Sequence, residues 1–193
     1  MSALDGTSVA VGLTRHSAKE RVMKRLLVSV ITLAFAMPCL AQPPTPGPEV
    51  QKLAYFLGTW TGENELTGAA LSGHISGRNV CEWFAGEFHL LCRNESTGPA
   101  GRHYELSVRA YDEETKTYSF FIIGSSGVTV FAKGSLAGST WTWLWDEKGW
   151  GKPAMYRISQ VIVSPTSYTF TVEESVTGGP WTVLEKGKAT KVK

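Results

Sequence analysis

The sequence predicts an all-β chain: about ten short antiparallel strands, folded as a sandwich or a closed barrel, behind one short helix. Three observations carry this. Apolar and polar residues alternate with a period of two through most of residues 59–189. Turn clusters interrupt that pattern at regular intervals, at Thr97-Gly98-Pro99, Asp112-Glu113-Glu114, Gly124-Ser125-Ser126-Gly127, Ala137-Gly138-Ser139, Ser164-Pro165-Thr166 and Gly178-Gly179-Pro180. No long helical pattern lies between the strands, as crossover connections in a parallel sheet would require.

The start of the chain has a different character. Met23-Lys24-Arg25 is a basic start, Leu26–Ala36 an apolar run and Cys39-Leu40-Ala41 a small-residue cleavage site, the three parts of a secretory signal peptide over 23–41. Residues 1–22 then read as an upstream extension, and Gln42 as the mature N-terminus. Pro38 makes the stretch before Cys39 a poor lipidation site. The apolar run is short for a bilayer and no later segment is longer, so no membrane span is expected. The expected location is the periplasm or the exterior.

Removing residues 1–41 takes five basic and two acidic side chains with it, and the net charge moves from +2 to about −1. The basic balance therefore belongs to the leader, and the lysines at 186, 188, 191 and 193 are a solvated end. No nucleic-acid partner is indicated. With 42% hydrophobic and 19% charged residues, the chain is neither disordered nor collagen-like. The remainder suffices for one domain over 50–193.

Pro43, Pro44, Pro46 and Pro48 make residues 42–49 an extended spacer. Val50, Leu53 and Leu57 recur at helical spacing after Pro48, so one or two helical turns are expected to close one end of a barrel. Gly58 and Trp60 follow. An indole supplies enough apolar bulk to plug a barrel end, and Gly58 lets the backbone pass beneath it. From there Trp60, Gly62 and Asn64 point one way and Thr59, Thr61 and Glu63 the other.

Strands are placed near 59–66, 70–84, 87–96, 103–111, 117–123, 128–136, 140–146, 155–163, 168–175 and 181–189. A two-residue loop at Gly86-Glu87, with glycine first as a type II′ turn requires, pairs Phe84 with His89, Trp83 with Leu90, Glu82 with Leu91 and Cys81 with Cys92. The two cysteines then face each other with α-carbons about 5.5 Å apart, so an exported chain is expected to bridge them. Two buried thiols are the other reading.

Alternation also assigns faces. Tyr104, Leu106, Val108 and Ala110 are expected inside, against Glu105, Ser107 and Arg109 outside. Tyr118, Phe120 and Ile122 join them, as do Trp141, Trp143 and Trp145, and then Tyr168, Phe170 and Val172. Such an aromatic interior suits a small, mostly apolar ligand, and it equally suits simple filling of a barrel this size. The candidate ligand-binding set is Trp60, Tyr104, Phe120, Trp141, Trp143, Arg157, Phe170 and Glu173. Arg157 and Glu173 sit on adjacent late strands and are the polar members; a surface salt bridge explains them too.

No nucleophile with a base, carboxylate pair or metal cluster appears at a diagnostic spacing, so no catalytic residue, metal or cofactor is assigned. His74, His89 and His103 are scattered, and two cysteines lack the further ligands of a zinc site. Glu82, with His89 and Arg93 on its diagonals, reads as part of an exterior charge pair. Asn94-Glu95-Ser96 matches a glycosylation sequon.

Taken together, LGTWTGENEL, CEWFAGEFHLLC, GSTWTW, GKPAMYR and YTFTVEES followed by Gly-Gly and Trp181 resemble the bacterial secreted proteins grouped as domain of unknown function 1579, over about Val50–Lys191. That resemblance implies a single lipocalin-like, calycin-type barrel and supplies no catalytic residues. Gly58-Thr59-Trp60 also resembles the start of nitrobindin-type haem barrels. Those end with an iron-ligating histidine, absent from GKATKVK here, so haem is not expected. The function expected on these grounds is non-catalytic binding of a small, mostly apolar molecule. The alternatives are a small barrel enzyme, isomerase or hydrolase, polarising its substrate with Arg157 and Glu173, or a periplasmic barrel that binds another protein. The oligomeric state is left open.

Overall fold

The computed structural model describes residues 44–68, 71–149 and 152–192. The signal peptide at 23–41 and the extension at 1–22 lie outside the described residues. A short helix α1 (Pro48–Lys52) runs into a 3₁₀ turn (Leu53–Phe56). Ten strands follow: β1 (Gly58–Thr67), β2 (Ser72–Trp83), β3 (His89–Gly98), β4 (Gly101–Asp112), β5 (Thr117–Gly124), β6 (Thr129–Ala137), β7 (Thr140–Gly149), β8 (Lys152–Ser164), β9 (Ser167–Val176) and β10 (Thr182–Lys191). Each pairs antiparallel with its sequence neighbours, and β1 pairs with β10, closing the barrel. Closure gives each of the ten strands a hydrogen-bonded neighbour on both sides.

The helical turns form the floor of that barrel. Proline opens α1, where its missing N–H costs nothing. Val50, Leu53 and Phe56 are buried, and Trp60 enters from β1 with its Nε1 donating to the Phe56 carbonyl at 2.8 Å. The Tyr118 hydroxyl donates to the Glu49 carboxylate at 2.7 Å, and the Tyr55 hydroxyl to the Ser167 carbonyl at 2.9 Å, tying the floor to β5 and to the β8–β9 turn. Trp141 and Trp143 stack with ring centroids 5.6 Å apart and pack against Phe56, Tyr118 and Phe120. Gly134 makes room for that stack: a Cβ there would lie 2.3 Å from Trp143. Gly58 is needed for its backbone, with φ at 95°, rather than for closeness to Trp60.

The β2–β3 hairpin keeps the expected register, Cys81 opposite Cys92, but with a different turn. Glu87 N–H bonds to the Phe84 carbonyl at 2.9 Å, so Ala85 and Gly86 are the central residues. Gly86, at φ 86°, occupies the third turn position, where a left-handed residue is required in a type II turn. The cysteines form a disulfide with α-carbons 4.1 Å apart, near the spacing of a non-hydrogen-bonded pair rather than the wider one expected.

The larger correction concerns β4. Tyr104 is 48% exposed and Leu106 37%, while Ser107 and Arg109 are each 4% exposed. The strand is turned over relative to the sequence expectation. Ladder partners share a face, and Cys92 faces inward and pairs with Ser107, which carries Glu105 and Arg109 inside with it. The apolar set has company outside. Leu106 pairs with Ile123, and Val108 pairs with Phe121, which pairs with Phe131, so an apolar strip crosses the outer wall of β4–β6.

Candidate ligand cavity

Above the floor the barrel encloses a cavity of about 480 Å³, within the usual range for small-molecule sites. Its lining reaches up to Leu71, Pro99 and Ser126, in or beside the turns at the end opposite the helix. One wall is aromatic and aliphatic: Trp60, Phe120, Ile122, Tyr168, Phe170 and Val172.

The other wall is polar, and the strand registers build it. Trp60 pairs with Asn79, Asn79 with Asn94, and Asn94 with Glu105, giving one row across β1–β4. Toward the floor, Cys81, Cys92 and Ser107 form the next inward row, and Leu90, Arg109 and Phe120 the one after. Asn64 reaches in from β1 and donates through Nδ2 to Glu185 at 2.8 Å. Gln160 accepts from Trp143 Nε1 at 2.9 Å, joining the floor stack to the cavity wall.

Several of these groups have no partner. The side-chain oxygens of Asn64, Asn79 and Asn94 are buried without a hydrogen bond among the described residues, as is Arg109 Nε. Buried polar groups are nearly always paired, and an unpaired one costs about 1–3 kcal/mol. All four side chains line the cavity, and these particular atoms are turned into its wall, without accessible surface. Trp141 and Trp145 also bury Nε1 unpartnered, but neither lines the cavity, and nothing in the structure explains them.

Charge in the cavity is shaped by burial. The Arg109 guanidinium is pushed down to about 10 by desolvation, partly offset by Tyr168 and Glu105, so it remains a cation at neutral pH. Burial lifts Glu105 above the ordinary carboxylate value of 4.5, against the pull of Arg109. Glu185 is lifted the same way, with Asn64 opposing. The folded chain therefore holds the Glu105 proton to higher pH than the unfolded chain does. Stability from this group is full below 4.5 and falls as pH rises through the raised value. The variant Glu105→Gln is expected to melt with wild type near pH 4 and progressively above it as pH increases. Melting curves across that range check this; a constant or shrinking difference would contradict it.

Of the residues proposed from sequence, Trp60, Phe120 and Phe170 line the cavity. Trp141 and Trp143 are buried in the floor outside its lining. Tyr104 is on the outer wall. Arg157 and Glu173 do meet, with Nε and Oε2 2.8 Å apart, but Arg157 lies over Trp181 at 4.3 Å and neither residue lines the cavity. Glu82 and Arg93 form the expected exterior pair, both more than half exposed. His103 also lines the cavity, as does Asn94 of the sequon.

The signal for the missed asparagines was present. Asn64 shares the Trp60 face by simple alternation, and Asn79 and Asn94 lie two residues from the paired cysteines on their face. Arg109 and Glu105 were hidden by the inverted reading of β4.

Among the described residues, no helix is long and apolar enough to cross a membrane, and no three His, Cys, Asp or Glu side chains cluster as a metal site requires. No family model and no curated protein matches the chain. Among solved structures, the crystal structure of Rv2717c from M. tuberculosis superposes with a TM-score of 0.58 at 15% identity, covering 77% of this chain and 99% of that one. The likeness is one of fold. A protein of unknown function from the DUF3598 family of Nostoc punctiforme covers 76% of this chain and 100% of its own at 8% identity, but its TM-score of 0.24 carries no argument.

Proposed function

We propose that this protein is an exported, non-catalytic barrel that holds a small amphipathic molecule in its cavity. The observation that carries the reading is the mixed lining of the cavity, where Trp60, Phe120 and Phe170 stand beside the polar side chains of Asn64, Asn79, Asn94 and Arg109. A mostly apolar ligand, as expected from sequence, matches the aromatic part of that lining better than the polar part. An amphipathic one buries its ring or chain against Trp60, Phe120 and Phe170 and meets Asn64, Asn79 and Asn94 with hydrogen-bonding groups. The leader pattern at 23–41 and the Cys81–Cys92 bridge support export. The motif set supports membership of the domain of unknown function 1579 family.

The enzyme reading rested on Arg157 and Glu173, which pair on the outer wall. Protein binding keeps one supporting observation, the exterior strip in which Leu106, Ile123 and Phe131 are 37, 44 and 62% exposed.

The full chain, expressed in a bacterial host and recovered from its periplasm, tests the proposal by native against denatured mass spectrometry. A chain mass beginning at Gln42, with a reproducible extra mass lost on denaturation, is the expected result. A protein retained in the cytoplasm would overturn export. An empty cavity that takes up no small molecule from an amphipathic panel would overturn carriage.

A further inference from the structure

Arg109 sits between floor and cavity as a buried cation. It is 4% exposed, lines the cavity, and forms no ion pair among the described residues. Its one side-chain hydrogen bond among them runs from Nη1 to Cys92 Sγ at 3.2 Å, a weak acceptor. The guanidinium carbon lies 4.1 Å from the Phe120 ring centroid and 4.6 Å from that of Phe56. Those aromatic faces hold the group in place without neutralising it. A buried cation with neither counter-ion nor full hydrogen bonding is costly, and proteins normally answer one with an anion. Glu105, on the same inward face of β4, interacts with it by charge but forms no ion pair or hydrogen bond with it among the described residues.

We infer that the cavity is built for an organic carboxylate, whose anionic group pairs with Arg109 while its apolar body lies against Phe120, Trp60 and Phe170. The inference rests on the reading of the cavity as a ligand site and names the chemistry of the occupant. The guanidinium suits a planar carboxylate, which it can meet with parallel N–H donors. The row of Asn79, Asn94 and Glu105 sits one inward row beyond the disulfide, toward the turn end, and sets polar side chains beside a hydroxyl or amine further along the same molecule. A simple hydrocarbon acid uses half of this site; an acid carrying a hydrogen-bond donor uses all of it.

The test is calorimetric titration with cinnamate, its neutral isostere cinnamamide and para-hydroxycinnamate, on protein whose native mass equals its chain mass. Cinnamate is expected to bind at least tenfold tighter than cinnamamide, and para-hydroxycinnamate tighter than cinnamate. In Arg109→Met the acid and the amide are expected to bind within about twofold of each other, whereas Arg109→Lys, which keeps the charge, retains a preference for the acid. Should the methionine variant not fold, the wild-type ratio and the lysine variant still decide. Equal binding of acid and amide by wild type, or an undiminished preference in Arg109→Met, overturns the carboxylate while leaving the ligand cavity standing. Binding of none of the three at millimolar concentration counts against the cavity reading and the inference together.

Discussion

Replacing Trp60 by alanine is expected to destabilise the barrel by about 4 kcal/mol, a large share of the margin available to a domain of this size. The indole is 1% exposed and forms the hinge between floor and wall. It packs against Tyr55 and Tyr168 with centroids 5.5 and 5.2 Å away, and its Nε1 satisfies the Phe56 carbonyl. Alanine removes all three at once and opens a void that nothing nearby can fill, since the closed ladder fixes the β1 backbone from both sides. Phenylalanine is expected to recover part of the loss by refilling volume, but not the hydrogen bond. Urea unfolding measures both; a loss under about 1.5 kcal/mol for alanine would show that the floor closes without its plug.

The second large effect is expected from the disulfide. With a sequence separation of 11, the bridge closes a short loop, and chain-entropy bookkeeping assigns about 3 kcal/mol to it. Both cysteines are buried and Arg109 donates to one of them, so Cys81→Ala with Cys92→Ala also withdraws the single side-chain hydrogen bond that Arg109 makes among the described residues. The double variant is expected to lose at least that amount in urea unfolding. Reduction of the wild type is expected to lower its midpoint in the same direction. A double variant as stable as wild type would mean that the β2–β3 register and the surrounding ladder hold the hairpin unaided.

Much of this architecture is local and was legible. Strand count and approximate ends follow from turn residues and alternation because each depends on a few neighbouring dihedrals and side chains. The pairing of Cys81 with Cys92 came from counting out from a turn, and it survived an error in that turn because a four-residue connection centred on the same midpoint leaves the register unchanged. The floor was readable from Pro48 through Trp60 for the same reason: proline, helical spacing and one indole in succession leave few arrangements.

The polar half of the cavity was not legible, and β4 shows why. Alternation separates Tyr104, Leu106 and Val108 from Glu105, Ser107 and Arg109, but it does not say which set faces the barrel interior. The usual rule, apolar inside, assumes that the interior is a packed core and the exterior is water. Here the interior beside β4 is a cavity lined by Asn79, Asn94 and Ser107, and the exterior beside it is the apolar strip of Ile123, Phe121 and Phe131. Both environments are made by other strands. The same limit applied to Arg157 and Glu173: adjacency predicted their contact, and the barrel wall decided that it would lie outside.

The sequence by itself determined the all-β class, the order and approximate positions of ten strands, the helical floor with its tryptophan plug and the cysteine pairing, because period-two patterning, turn chemistry and hairpin register act over a few residues. Only the tertiary structure decided that the barrel closes through β1 and β10 and leaves a cavity above its floor, and that Glu105 and Arg109 face that cavity while Tyr104, Arg157 and Glu173 face away. Those outcomes depend on which strands meet across the barrel and on how ladder partners transmit a face from the disulfide to β4, which are relations between residues far apart in the chain.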